Sequence, residues 1–208
     1  GGLMTTHPSI AVKHPVTGKK IFDAGFEKAE AQGETLANIA ANAILNSKDS
    51  ISKGAIKLFA KTFTLPFDNT MFRIAGVVGV LDRGMVANWS VRTEMAAFKI
   101  GPASFLTIPG EIYPEIINGG IVAPEGQDFE IDPIEIPPLR SQMSGDFKFV
   151  FGLANDEIGY IIPKSEWDNE EPWLWNSESD FYGEENSAGP ETASILHKIG
   201  MQLLSDLK

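Results

Sequence analysis

Ser104-Phe105-Leu106-Thr107-Ile108-Pro109-Gly110-Glu111-Ile112-Tyr113-Pro114-Glu115 is one of two segments that decide the fold class of this chain. The other is Phe149-Val150-Phe151-Gly152-Leu153-Ala154-Asn155-Asp156-Glu157-Ile158-Gly159-Tyr160-Ile161-Ile162-Pro163. Each opens with an apolar run of strand length and breaks off at glycine and polar residues. Buried strands of α/β sheets deliver functional side chains at their C-terminal ends, where ligand crevices open. Glu111 and Tyr160 stand where such groups would emerge, and together they are the first candidate site.

Outward from these segments the pattern alternates between the two secondary-structure classes. Val91 to Ile100 reads as a strand, and the step through Gly101-Pro102 to Ala103–Ile108 predicts a hairpin. Ala55 to Leu65 is a further strand with Phe59 and Phe63 on one face, closed by the connector Pro66-Phe67-Asp68-Asn69. Met71 to Leu81 is apolar and partly β-branched, and Gly76 and Gly79 leave its class open. Asp146 to Leu153 is again a strand. Helical spacing runs from Asp23 to Asn46, where Leu36, Ile39, Ala40, Ala43 and Ile44 recur at i, i+3, i+4, i+7 and i+8. Gly33 admits a kink or a break there. Pro114 to Asn118 predicts a short helix with proline in its first turn and Gly119-Gly120 at its end. Pro190 and Glu191 open the last helix, whose expected seam is Ile195, Ile199, Leu203 and Leu207. The fold class that follows is α/β (α+β): a mixed sheet with flanking helices and a C-terminal amphipathic helix. The expected organisation is a single domain over 1–208, with a turn-rich arm at 1–20 and long loops at 121–144 and 164–188.

Composition narrows the partners. The chain has 208 residues and a net charge of −11, from 28 acids against 17 bases, with no basic stripe. That opposes binding to a phosphate backbone, so no nucleic-acid partner is expected. No apolar run reaches the ~18 residues that span a bilayer, and an integral membrane role is not expected. The absence of cysteine excludes disulfides, thiolate catalysis and cysteine-ligated metals. It leaves the compartment open, exported or periplasmic included, because a protein of this size needs no bridges.

Read together, Pro109-Gly110-Glu111 after a buried strand and Gly152-Leu153-Ala154-Asn155 running on to Tyr160 and Pro163 resemble the neutral/alkaline, non-lysosomal ceramidase family. Phe181-Tyr182-Gly183-Glu184 followed by Gly189-Pro190 ahead of a terminal helix is similar to a third stretch of that family. The resemblance covers roughly residues 71 to 205 and corresponds to the later half of the family's catalytic domain. It implies a zinc-dependent hydrolase of an amide (N-acyl) bond, such as a lipid amide of sphingolipid metabolism. Two histidines, one glutamate and one tyrosine would hold the ion there. By position Glu111 matches the carboxylate ligand and Tyr160 the tyrosine ligand, with Tyr160 also carrying a catalytic role. The histidine ligands would belong to an upstream half of the same polypeptide, since none of His7, His14 and His197 stands in such a motif. The family's serine stretch aligns with Gly1-Gly2-Leu3-Met4-Thr5, where neither its aspartate nor its serine is present, and only Thr5 or Thr6 offers a hydroxyl.

The residues also have plainer readings. Glu111 suits the N-terminal end of the short helix that follows it. Tyr160, between Gly159 and Ile161, suits a half-buried strand tyrosine. Asn155 orients a ligand from behind or, with Asp156, caps a turn. The stretch from Glu166 to Asn186 holds eight acids with Trp167, Trp173, Trp175, Phe181 and Tyr182. It reads either as a substrate rim carried by Trp167 and Tyr182 or as a surface loop pinned by its tryptophans. His197 is expected on the polar face of the last helix. The alternatives to the hydrolase are a non-catalytic glycan- or protein-binding module and a pseudoenzyme of the same fold. If strand edges stay unpaired, association into a homo-oligomer would cover them.

Overall fold

The computed structural model describes residues 10–47, 54–80, 85–86, 89–176 and 182–208. Its contacts divide the chain into two units, one within Met4–Lys53 and one running from Gly54 to Lys208. The candidate residues Thr5, Thr6, His7 and Phe181 lie outside the described residues.

In the smaller unit, Pro15 and Gly18 punctuate a tight reversal. Gly18 N–H donates to the His14 carbonyl and His14 N–H to the Lys19 carbonyl, both at 2.9 Å. These bonds close a hairpin of β1 (Val12–Lys13) and β2 (Lys20–Ile21). Then α1 (Phe26–Asn46) runs unbroken through Gly33. Flanking alanine and glutamate have high helix propensity, which offsets the ~1 kcal/mol penalty of one glycine. The apolar seam is not an inward face: Leu36, Ile39 and Ile44 are exposed, and only Lys28 and Ala31 are buried along α1. Two strands of two residues give the unit too little apolar surface to cover a helix of six turns.

The larger unit is organised by its phenylalanine-rich strands. β3 (Ile56–Pro66) is followed by α2 (Thr70–Val77), β4 (Met85–Val86) and β5 (Ser90–Ile100). β3 and β5 pair antiparallel from Ile56↔Ile100 to Pro66↔Ser90. The stretch whose class the sequence leaves open becomes helical because Asn69 caps it, its side chain accepting from Phe72 N–H at 3.2 Å. Leu81 lies outside the described residues. The predicted hairpin joins β5 to β6 (Ala103–Thr107) with Ile100 opposite Ala103.

β6 then leaves the sheet through β7 (Glu111–Ile112), α3 (Pro114–Asn118) and α4 (Leu139–Gln142), and returns as β8 (Phe147–Phe151). β8 lies parallel to β6, with Phe105 opposite Phe149. The sheet is therefore mixed, in the order β3-β5-β6-β8 with β4 on β5. On one face Phe98 stacks on Phe105 (4.6 Å between ring centres) and Phe105 on Phe149 (5.1 Å). Against the other face packs α6 (Thr192–Leu207), which follows β9 (Tyr160–Ile161) and α5 (Tyr182–Glu185). Leu65, Met95, Leu106, Leu139, Leu196 and Leu203 meet there in one core.

The buried side of α6 is wider than the predicted seam. Ile199, Leu203 and Leu207 are buried as expected, but so are Leu196, Gly200 and Leu204. His197 corrects the sequence reading: it is buried rather than on a polar face, with Nε2 at 2.9 Å from the Pro137 carbonyl. α4 packs against α6 and turns what would be the solvent side of the helix into an interior one. Among the described residues no helix is long and apolar enough to cross a membrane.

Leu106 is fully buried at the centre of this core. Leu106→Ala should cost about 3 kcal/mol of unfolding free energy through lost burial and the cavity left behind. Urea denaturation checks this, and a loss below ~1 kcal/mol would contradict the packing described here.

Candidate functional site

Pro109-Gly110 ends the central strand and redirects the chain into a second, smaller pairing. Pro109 has no N–H to continue a ladder, and Ile108 makes the last bond to β8, donating to the Phe151 carbonyl at 2.8 Å. The chain then pairs with β9: Glu111 N–H donates to the Gly159 carbonyl (3.0 Å) and Tyr113 N–H to the Ile161 carbonyl (3.1 Å). β7 and β9 are parallel, and Glu111 stands directly opposite Tyr160. A third segment closes this layer. Tyr160 N–H donates to the Asn186 carbonyl (3.0 Å), and the Ser187 hydroxyl donates to the Tyr160 carbonyl (2.7 Å).

Two glycines make this approach possible. A Cβ on Gly110 would lie 2.5 Å from the Gly159 carbonyl oxygen. Gly159 has φ +89°, and a Cβ there would overlap the Asn186 carbonyl. The strands therefore meet backbone to backbone, and the two predicted site residues are brought together across a single step of the pairing.

Both side chains are half-buried. Burial pushes the Tyr160 pKa up, and the charge of Glu111, the neighbouring Tyr182 and the bond to Glu111 act in the same direction. Tyr182 lies edge-on to Tyr160 with ring centres 5.8 Å apart, and its own ring is largely exposed. Glu111 is therefore not a helix cap: the N-cap of α3 is Tyr113, with no side-chain capping bond.

The other predicted residues fall elsewhere. Asn155 is exposed at a bend with φ +74°, and its amide donates to Glu94 (3.3 Å). Asp156 accepts from Glu157 N–H and from the Thr93 hydroxyl at 2.8 Å each, the second bond tying the loop to β5. Trp167 is buried and lines a cavity of about 820 Å³ together with Phe129, Asp128, Glu184 and Ser187. Ser187 thus belongs both to the wall of this cavity and to the layer that holds Tyr160.

Sequence reading missed that two acids of this region are interior. Within the acidic aromatic stretch Asp168 is fully buried and Glu184 nearly so, while Trp175 is exposed. The loop is pinned from inside by carboxylates as well as by Trp167. Asp168 accepts from Leu174 N–H (2.9 Å), and Asp128 accepts from Asn169 N–H (2.7 Å). Burial raises the Glu184 pKa to about 7; backbone N–H bonds oppose the shift, and Asp168 and Asp128 add to it. Tyr113, two residues past Glu111, was missed as well. Burial and the carboxylates of Glu184, Glu166 and Glu115, with Tyr160, push its pKa above the ordinary tyrosine range. The signal was available in the i, i+2 spacing of Glu111 and Tyr113.

No family model, curated protein or solved structure matches this chain. The chemistry has to be judged from the donors themselves. Glu111 and Tyr160 are two oxygen donors side by side, which fits two positions of a four-ligand zinc set and no more. Among the described residues no three His, Asp or Glu side chains gather into a group able to hold a metal ion. His14 is occupied in its turn, with Nδ1 accepting from Val16 N–H (3.2 Å).

Gly159→Ala should destabilise the larger unit by about 2 kcal/mol or more, since both φ and the Asn186 carbonyl oppose a side chain. Urea denaturation of the variant measures this, and an unchanged midpoint would contradict the close approach. Glu184 gives a pH test. Its pKa is raised on folding from 4.5 to about 7, so the protonated form is the one folding favours. Its contribution is complete below pH ~4.5 and is lost as pH rises through ~7. Relative to the wild type, Glu184→Gln should gain stability as pH rises through this window. Parallel pH–stability curves for the two proteins would contradict the assignment.

Proposed function

We propose that this chain is the later part of a zinc-dependent amide hydrolase of the ceramidase type, contributing Glu111 and Tyr160 to a metal site that an upstream segment completes. The observation that carries the reading is the register of the small parallel pairing. It places the two residues matched to the family's ligands directly opposite each other, although 49 positions separate them in sequence.

Glu111 would hold the ion as an anionic oxygen donor, and Tyr160 beside it would bind as a phenol or phenolate. A zinc ion so held supplies a Lewis acid for the amide carbonyl and lowers the pKa of a bound water toward neutrality. If Tyr160 did not bind the ion, its hydroxyl would instead steady the oxyanion that develops as the amide is attacked. Tyr182 lies edge-on to Tyr160 beside the pair. The adjoining cavity, with Trp167 and Phe129 in its wall, offers apolar surface for the acyl or lipid portion of an N-acyl substrate.

A second reading is favoured by that cavity alone. Its size and its mixture of aromatic and acidic walls suit a non-catalytic module that grips a polar ligand such as a glycan.

The test is zinc content by elemental analysis of the polypeptide completed by its histidine-bearing segment. One zinc per chain is expected in the wild type and a loss of it in Glu111→Ala. Hydrolysis of an N-acyl substrate should fall at least a hundredfold in the same variant. Zinc-free wild-type protein that still binds a glycan would overturn the hydrolase and leave the module. The 208-residue chain alone should bind zinc weakly, since two ligands seldom hold it tightly.

A further inference from the structure

Alternation along the main strands sorts their side chains onto two faces, and the register shows what each face carries. Leu58 stands opposite Phe98, Phe98 opposite Phe105 and Phe105 opposite Phe149. Two residues along, Ile56, Ile100, Ala103 and Phe147 form a second row. The immediate neighbours Ala97, Leu106 and Val150 point the other way, into the core beneath α6. Both rows therefore lie on the face away from α6, and that face is open to solvent. Ile56, Leu58, Ile100, Phe147, Phe149 and Phe151 are between 43% and 71% exposed.

Six large apolar side chains, each about half exposed, present on the order of 600 Å². That is the upper end of what a monomer ordinarily leaves in water. A stable interface buries about 800 Å² on each partner, roughly 65% of it apolar in homodimers. The face is large enough to supply the apolar part of such an interface by itself.

Charge selects the occupant. Neither row contains an ionisable side chain, while the chain as a whole carries a net charge of −11. A basic partner would be drawn to the acids elsewhere on the surface, and an anionic lipid headgroup would be repelled. Two copies of one acidic chain approach most easily where both are uncharged. The rings of Phe98, Phe105 and Phe149 are already stacked across the strands, so little rotamer freedom remains to be lost on contact.

We propose that a second copy of this chain docks on this face, sheet against sheet about a two-fold axis, so that Leu58, Phe105 and Phe149 of each copy are buried together. Sheets packed face to face lie ~10 Å apart, with the side chains of their inner faces interdigitated. A two-fold axis makes the contact isologous and closes the assembly at two copies. The inference stands apart from the hydrolase reading, since it uses neither Glu111 nor Tyr160.

Sedimentation velocity of the 208-residue chain across the micromolar range is the test. A reversible dimer is expected, tightened by added salt, which screens the repulsion between two acidic chains. Leu58→Glu and Phe147→Glu should each weaken it at least tenfold while leaving the far-ultraviolet circular dichroism unchanged, since both side chains lie outside the core. Leu36→Glu, on the exposed seam of α1, should leave the dimer unaltered. A monomer at every concentration, or a dimer indifferent to both face variants, would overturn the proposal. A monomer that floats with phosphatidylcholine vesicles, and ceases to do so in Leu58→Glu, would give the face to a lipid surface and overturn it too. Loss of the dimer in a longer polypeptide carrying an upstream segment would give the face to that segment, with the same consequence.

Discussion

The backbone approach at Gly110, Gly159 and Asn186 is the constraint on which the site depends. Three chain segments, each arriving from a different part of the fold, converge on carbonyl groups that leave no room for a Cβ. The β6 strand delivers Gly110 from the main sheet, the loop after β8 delivers Gly159, and the segment before α6 delivers Asn186 and Ser187. Because a one-residue slip in a strand turns every side chain to the opposite face, fixing this contact fixes which side chains emerge together. Glu111 and Tyr160 are paired as a consequence of that register.

The same region accounts for the unusual placing of charge. A chain of net charge −11 could keep its acids in water, yet Glu135 and Asp168 are fully buried and Glu184 nearly so. Partners differ from acid to acid. Asp168 is used as a loop brace through Leu174 N–H, and Glu184 is driven toward its neutral form by burial and by neighbouring carboxylates. Glu135 has one oxygen braced and one left over. Buried charge of one sign without a matching base weakens a fold unless a ligand or a proton compensates it. Proton uptake serves at Glu184.

Much of this fold can be read from sequence where a pattern is local. The antiparallel β5–β6 hairpin follows from the Gly101-Pro102 break, and α6 from Pro190 and the leucine spacing. Glu111 and Tyr160 do not stand at the ends of the two apolar strands, which stop at Thr107 and Phe151; each opens a short strand of its own, because Pro109-Gly110 and Gly159 redirect the chain into a second pairing. What resists reading is non-local. The parallel return of β8 onto β6 depends on the long excursion between them, whose own residues show no periodicity. His197 is interior only because α4 packs on α6, a contact made across more than fifty residues. Buried acids are the hardest case, since Asp168 and Glu184 lie in a stretch whose composition reads as surface. The class of the mixed α/β fold was legible; the identity of its interior carboxylates was not.

The most direct test of the paired site is the ultraviolet difference spectrum of the completed polypeptide during zinc titration. Metal coordination favours the ionised phenol of a tyrosine whose hydroxyl is otherwise held protonated. The account predicts a tyrosinate band that grows to one equivalent of zinc, disappears in Tyr160→Phe and is strongly weakened in Glu111→Ala. Stoichiometric zinc binding with no tyrosinate band, or with a band unchanged in Tyr160→Phe, would contradict the placing of Tyr160 and Glu111 in one metal site.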